Sequence, residues 1–98
     1  MNVRLSKRAQ RAVDRIEARW RERADHPETF LRELLSAIDF LETVNNAGTR
    51  CQTEKRPTLK RLLLEKSKCH VYFEPSGREP MIEVLTVWDS RRERPPQL

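Results

Sequence analysis

No apolar run in this chain approaches the ~20 residues that a membrane-spanning helix requires. Residues 1–10 are basic and polar, without the apolar core of a secretory signal, so a cytoplasmic, reduced setting is expected. Cys51 and Cys69 form no CxxC pair, and Cys69-His70 has no further ligands at zinc spacing. A four-ligand site would have to gather both cysteines, His26 and His70 from four scattered places, so neither metal nor cofactor is expected. Aromatics make up 6% and charged residues 36%, so the apolar side chains must be well placed for the chain to fold alone.

What the chain has is positive charge, unevenly spread. Residues 1–50 hold ten Lys/Arg against eight Asp/Glu, or +2, and residues 51–98 hold ten against seven, or +3. Between Lys55 and Lys68 six basic residues (Lys55, Arg56, Lys60, Arg61, Lys66, Lys68) meet one acid, Glu65, and the chain closes on Arg91-Arg92-Glu93-Arg94. A concentrated cationic face favours phosphate backbones, or an acidic protein, through its field and through counterion release. The plainer alternative is a solvated charged surface. Ninety-eight residues make one domain, 1–98, whose tail from residue 91 is expected to be flexible.

Val3 and Leu5 alternate as in a very short strand. Ser6 is placed to cap a helix whose apolar face is Ala9, Ala12, Val13, Ile16 and Trp20. That helix is expected to end near Ala24, before the break at Asp25-His26-Pro27. A second runs through Phe30, Leu31, Leu34, Leu35, Ile38, Leu41 and Val44, and Asn45-Asn46-Ala47-Gly48 stops it. Residues 50–58 read as a loop. Three strands follow, Leu59–Glu65, Cys69–Glu74 and Met81–Trp88, the last two joined by the turn-forming residues 75–80. The order β-α-α-β-β-β predicts an α+β domain, an antiparallel sheet with a helical hairpin on one face. The first strand should add to an edge of the later three. Either Lys60 or Arg61 then points away from the helices, and register decides which.

At this point the chain resembles the RelE/ParE superfamily of toxins from type II toxin–antitoxin modules. The residues that carry the resemblance are Val3-x-Leu5-Ser6 with Ala9 and Ala12, the two helices, Leu59-Lys60-Arg61-Leu62, Val71-Tyr72-Phe73-Glu74, and Ile82 to Trp88 leading to Arg91-Arg92. The resemblance implies a toxin neutralised by a cognate antitoxin, within a toxin–antitoxin hetero-oligomer. It implies one of two targets: mRNA on the ribosome, cut by RelE-like members, or gyrase with DNA, poisoned by ParE-like ones. After Trp88, where many relatives have histidine, this chain has Asp89, and no tyrosine follows. That departure tilts the reading toward the ParE-like activity. A RelE-like endoribonuclease is the alternative, and a non-toxic basic nucleic-acid-binding module is a further one.

Cleavage of RNA needs a proton acceptor and a cation for the phosphorane, so Lys60, Arg61 and Asp89 are the catalytic candidates, although an aspartate at a strand end is commonly a turn former. Lys60, Arg61, Arg91, Arg92 and Arg94 are the candidates for binding nucleic acid or target. Arg61, Arg91 and Arg92 would converge on one phosphate if the first and last long strands were neighbours, since guanidinium forks suit bidentate contacts. A domain this small cannot cover all its apolar residues, and Trp20, Phe30 and Trp88 are the candidate antitoxin contacts.

Overall fold

The computed structural model describes every residue except Met1, Ala24, Asn45, Asn46, Gln52, 78–80, Arg92, Glu93 and Pro95, and the side chain of Arg23. The elements run β1 (Asn2–Leu5), α1 (Lys7–Arg23), α2 (Thr29–Thr43), β2 (Thr49–Arg50), β3 (Lys60–Leu64), β4 (Cys69–Pro75) and β5 (Met81–Asp89). They form an α+β fold with the order expected, plus the two-residue β2. The sheet order is β1-β5-β4-β3-β2. The three long strands pair antiparallel in sequence order. β1 joins the edge of β5 in parallel, with Val3 opposite Ile82 and Leu5 opposite Val84, so the sheet is mixed where the sequence suggested an antiparallel one. The Asn45-Asn46 stop and the end of the turn before β5 lie outside the described residues.

Ser6 behaves as its type dictates. Its Oγ accepts from the Ala9 amide at 3.0 Å, satisfying a first-turn donor, and donates to the Leu85 carbonyl at 2.9 Å. Its own N–H bonds the Val84 carbonyl at 3.0 Å. One residue thus caps α1 and fastens it to β5. Ala9, Val13 and Ile16 then lie on the sheet, and α2 adds Phe30, Leu34, Ala37 and Leu41 to the same core.

Glu33 of α2 clamps the turn between β3 and β4, accepting from the amides of Lys66 at 2.8 Å and Ser67 at 2.7 Å. Burial raises its pKa, but these two N–H groups and the nearby Lys66 charge outweigh it and hold the carboxyl below its ordinary value.

Between α2 and β2, Gly48 has φ +89°, where a side chain is strained. A Cβ there would also lie 2.7 Å from Phe73 Cζ and 2.9 Å from the Arg61 carbonyl oxygen. Neither neighbour is a flexible side-chain tip. Gly48→Ala should therefore destabilise the fold by about 2–4 kcal/mol, joining the cost of a left-handed residue to that of overpacking. Urea unfolding measures it, and a change within about 0.5 kcal/mol, as at an indifferent surface position, would contradict this account of the turn.

Candidate nucleic-acid and target interface

Side chains on β4 alternate, with Cys69, Val71 and Phe73 toward the helices and His70, Tyr72 and Glu74 on the opposite, open face. Register carries this to β3. Arg61 pairs with Tyr72 and stands on the open face, whereas Lys60 pairs with Phe73 and lines a small helix-side pocket with Leu41, Ala47 and Ile82. On β5 a bulge intervenes. Tyr72 faces Thr86 and Phe73 faces Val84, which leaves Leu85 as the extra residue. The bulge reverses the parity beyond it, so Val87 and Asp89 join Ile82 and Val84 on the helix side, and Trp88 stands opposite His70.

The three catalytic candidates consequently do not meet. Lys60 and Arg61 are on opposite faces. Asp89 is buried beside α1, where its Oδ1 accepts from the Arg91 amide at 2.9 Å and its two oxygens grip the Arg91 guanidinium at 3.1 and 3.0 Å. It is a turn former with a paired charge. Nor do the arginines converge on one phosphate, because β4 separates β3 from β5 and Arg91 is committed to Asp89. Arg94 is exposed, and Arg92 lies outside the described residues.

The open face holds Arg61, exposed and close enough to depress the pKa of His70, which burial chiefly lowers and the Arg61 charge lowers further. His70 is neutral at pH 7 and meets Tyr72 edge to face with ring centroids 6.1 Å apart. Beside them Leu59, Tyr72 and Leu85 form a separate apolar cluster covered by Cys51, Trp88 and Leu98. The tail is held back against the molecule at this point, with the Arg8 guanidinium donating to the Gln97 carbonyl at 3.0 Å. Farther along, Glu74 and Glu83 sit opposite each other, and Arg56 and Arg4 neutralise them at 2.6 Å each. Cys69 is a buried thiol on the helix side, pushed up to about 11 by burial and by the Asp89 carboxylate. Chemically the open face offers, among the described residues, one exposed guanidinium outside an ion pair and one imidazole able to take a proton.

The aromatic contacts expected for a partner also shift. Phe30 is 0% exposed and forms part of the core, because its side of α2 turns inward. Trp20 packs against the main core and Trp88 against the open-face cluster, each half-buried. The apolar residues that do reach solvent are Leu35 (59%), Phe40 (42%), Val44 (39%) and Leu63 (44%). Phe40 and Leu63 line one groove of about 390 Å³ between α2 and β3. β2 covers only Lys60 and Arg61, so among the described residues no strand pairs with the outer edge of Leu62–Leu64.

This architecture has relatives among solved structures. The chain superposes on one chain of the chromosomal ParDE toxin–antitoxin system from P. aeruginosa with a TM-score of 0.70, at 20% identity, covering 91% of this chain and 95% of that one. The chain has the RelE/ParE fold. The isolated E. coli RelE toxin matches with a TM-score of 0.55 and 16% identity, covering 94% of this chain and 86% of its own. No family model matches the sequence, and no curated protein does. Among the described residues no helix of this RelE/ParE-fold chain is long and apolar enough to cross a membrane.

Asp89 gives a test of the site's geometry. Burial raises its pKa, but the Arg91 hydrogen bonds and the charges of Arg91 and Arg19 outweigh it and hold the carboxyl below its ordinary value. A depressed carboxylate contributes stability that is present above the unfolded value, about 3.9, and lost as pH falls through the lower folded one. Asp89→Asn should lower stability by about 1–2 kcal/mol at pH 7, as loss of a charge-assisted pair does. Urea titrations should show the gap to the parent closing as pH is taken below the usual carboxylate range. A gap that is constant with pH would mean that Asp89 is not ionised and paired as described.

Proposed function

We propose that this chain is the toxin of a type II toxin–antitoxin pair, ParE-like in its target, arresting growth by poisoning gyrase on DNA. The observation that carries the reading is the match along nearly the whole of both chains to a chain of a ParDE system. The scattering of Lys60, Arg61 and Asp89 supports the non-nucleolytic choice, because those residues assemble no acid–base pair. In this reading Arg61 presents the working charge from the open face, with the exposed Arg94 in the tail and Arg92 near it in sequence, while Arg91 stays paired with Asp89.

The cognate antitoxin, on this reading, lies in the groove between α2 and β3 and extends the sheet along Leu62–Leu64. Exposed edges accept an added strand through backbone hydrogen bonds, and Phe40 and Leu63 supply the apolar anchor. Phe40→Asp changes an exposed residue, so it should leave the fold and the toxicity intact while weakening antitoxin binding by about 30-fold or more, the measure of a lost aromatic anchor. Titration calorimetry with the product of the neighbouring reading frame reads this directly. Unchanged affinity would move the antitoxin elsewhere.

One observation favours a second reading, a metal-independent endoribonuclease of the RelE kind. Arg61 and a neutral His70 share the open face, which gives a phosphate-binding cation and a proton acceptor without Asp89. Induction of the chain alone, and then with its neighbouring frame, decides whether it is a toxin, and harmless induction would leave the basic nucleic-acid-binding module. Gyrase supercoiling assayed in vitro beside the mapping of mRNA ends then separates the targets. Codon-phased cuts lost in His70→Gln would install the nuclease, whereas inhibited supercoiling with intact messages supports the ParE-like action.

A further inference from the structure

Helix α1 carries arginine at positions 8, 11, 15 and 19, steps of three, four and four residues that align side chains along one flank. Arg8, Arg11 and Arg15 are exposed and Arg19 is half-buried. At 1.5 Å per residue the stripe runs about 16 Å along the helix. The acids of α1 mostly serve another flank, where Asp14 accepts from Gln10 at 3.1 Å and Glu17 pairs with Arg21. Only Glu22, at the far end, falls within the stripe. Among the described residues Arg11 and Arg15 form no ion pair.

Two features add to this charge instead of cancelling it. The first turn of α1 begins Lys7-Arg8 and has no acid, although the partial positive charge of a helix N-terminus disfavours cations there. The stripe also continues across the end of β5. Arg15 and Arg19 line a cavity of about 300 Å³ with Val87, Trp88 and Asp89, whose carboxylate is gripped by Arg91 and also feels the Arg19 charge. Like charges three and four residues apart repel, so the arrangement lowers the stability of the free helix. The buried face of α1 packs on the side of the sheet opposite the open face, and only Arg8, at the start of the flank, reaches the tail whose Leu98 packs on that open face.

The flank also lacks what a protein interface requires. Such interfaces have an apolar core within a polar rim, and the exposed Leu35, Phe40 and Leu63 all lie on α2 and β3. A straight row of guanidinium groups with no exposed large apolar side chain among the described residues beside it suits a regular array of phosphates, where counterion release supplies the affinity.

We propose that the arginine flank of α1 binds the sugar–phosphate backbone of duplex DNA without reading its bases. This is a second surface, distinct from the open sheet face, and it orients the chain on DNA. It does not depend on the toxin reading, because a non-toxic chain with this flank would bind in the same way.

Fluorescence anisotropy with the full chain and a labelled DNA duplex of about 20 base pairs, at several salt concentrations, tests it. Three sequences of equal length should bind alike. The double variant Arg11→Gln/Arg15→Gln should reduce the slope of log affinity against log salt by about 1.8, or 0.9 for each phosphate that is no longer neutralised. Glutamine keeps helix propensity, and circular dichroism confirms the fold. Lys55→Gln/Lys66→Gln removes the same charge from exposed positions elsewhere and should leave the slope within a few tenths. No binding of the parent chain at low salt, or an equal fall in slope for both double variants, would overturn the proposal. Tighter binding of an RNA duplex of the same sequence would overturn its assignment to DNA.

Discussion

Strand β5 is held along both edges and one face, and the rest of the molecule is arranged on it. β4 pairs with it from Cys69 to Pro75, β1 runs parallel along Met81 to Val84, and α1 packs over Ile82, Val84 and Val87. Ser6 makes the junction, binding the carbonyls of Val84 and Leu85 at the point where β1 gives way to α1. The β1–β5 pairing joins segments almost eighty residues apart in sequence, so loop-closure entropy has to be offset before it contributes. Burial of Val3 and Leu5 against the same core supplies that offset.

The bulge in β5 decides which side chains share a face. It lets Val84 and Val87 both face the helices, which strict alternation over three residues would forbid. The same reversal puts Trp88 opposite His70 and sends Asp89 to the α1 side. The result is a molecule with separated charges: Arg61 and a neutral His70 on the open face, a compensated acidic pair at its other end, and an arginine flank on α1. The exposed apolar residues lie on α2, just past its end and on β3. The target, antitoxin and DNA of the two proposals would therefore each have a different surface to engage.

Much of this was legible in the residues. Ser6 before an apolar repeat gave the cap, Asp25-His26-Pro27 the helix break, and the β-branched and aromatic runs the strands. Three things were not. β2 is two polar residues whose pairing depends on Gly48 permitting a close approach to β3, and no periodicity announces it. The inward turn of Phe30 and the outward turn of Leu35 and Val44 depend on how α2 rotates against the sheet, since its apolar arc is wider than the face it buries. Which of the candidates Lys60, Arg61 and Asp89 share a face needed a register, because adjacent residues on a strand face opposite ways. The neighbouring apolar pair Val84-Leu85 was the available signal for the bulge. The arginine spacing on α1 was equally visible, but its separation from the helix's acids emerges only when the buried face is known.

The claim at the centre of the proposed function is that register, not composition, selects the working cation. Lys60 and Arg61 are adjacent in sequence and similar in charge, yet only Arg61 stands on the open face. Growth inhibition by Arg61→Ala and by Lys60→Ala, compared at equal expression and with folding checked by circular dichroism, measures this most directly. The account predicts that Arg61→Ala loses inhibition and Lys60→Ala keeps it. Full inhibition by Arg61→Ala, or an equal loss in Lys60→Ala with its fold intact, would contradict it.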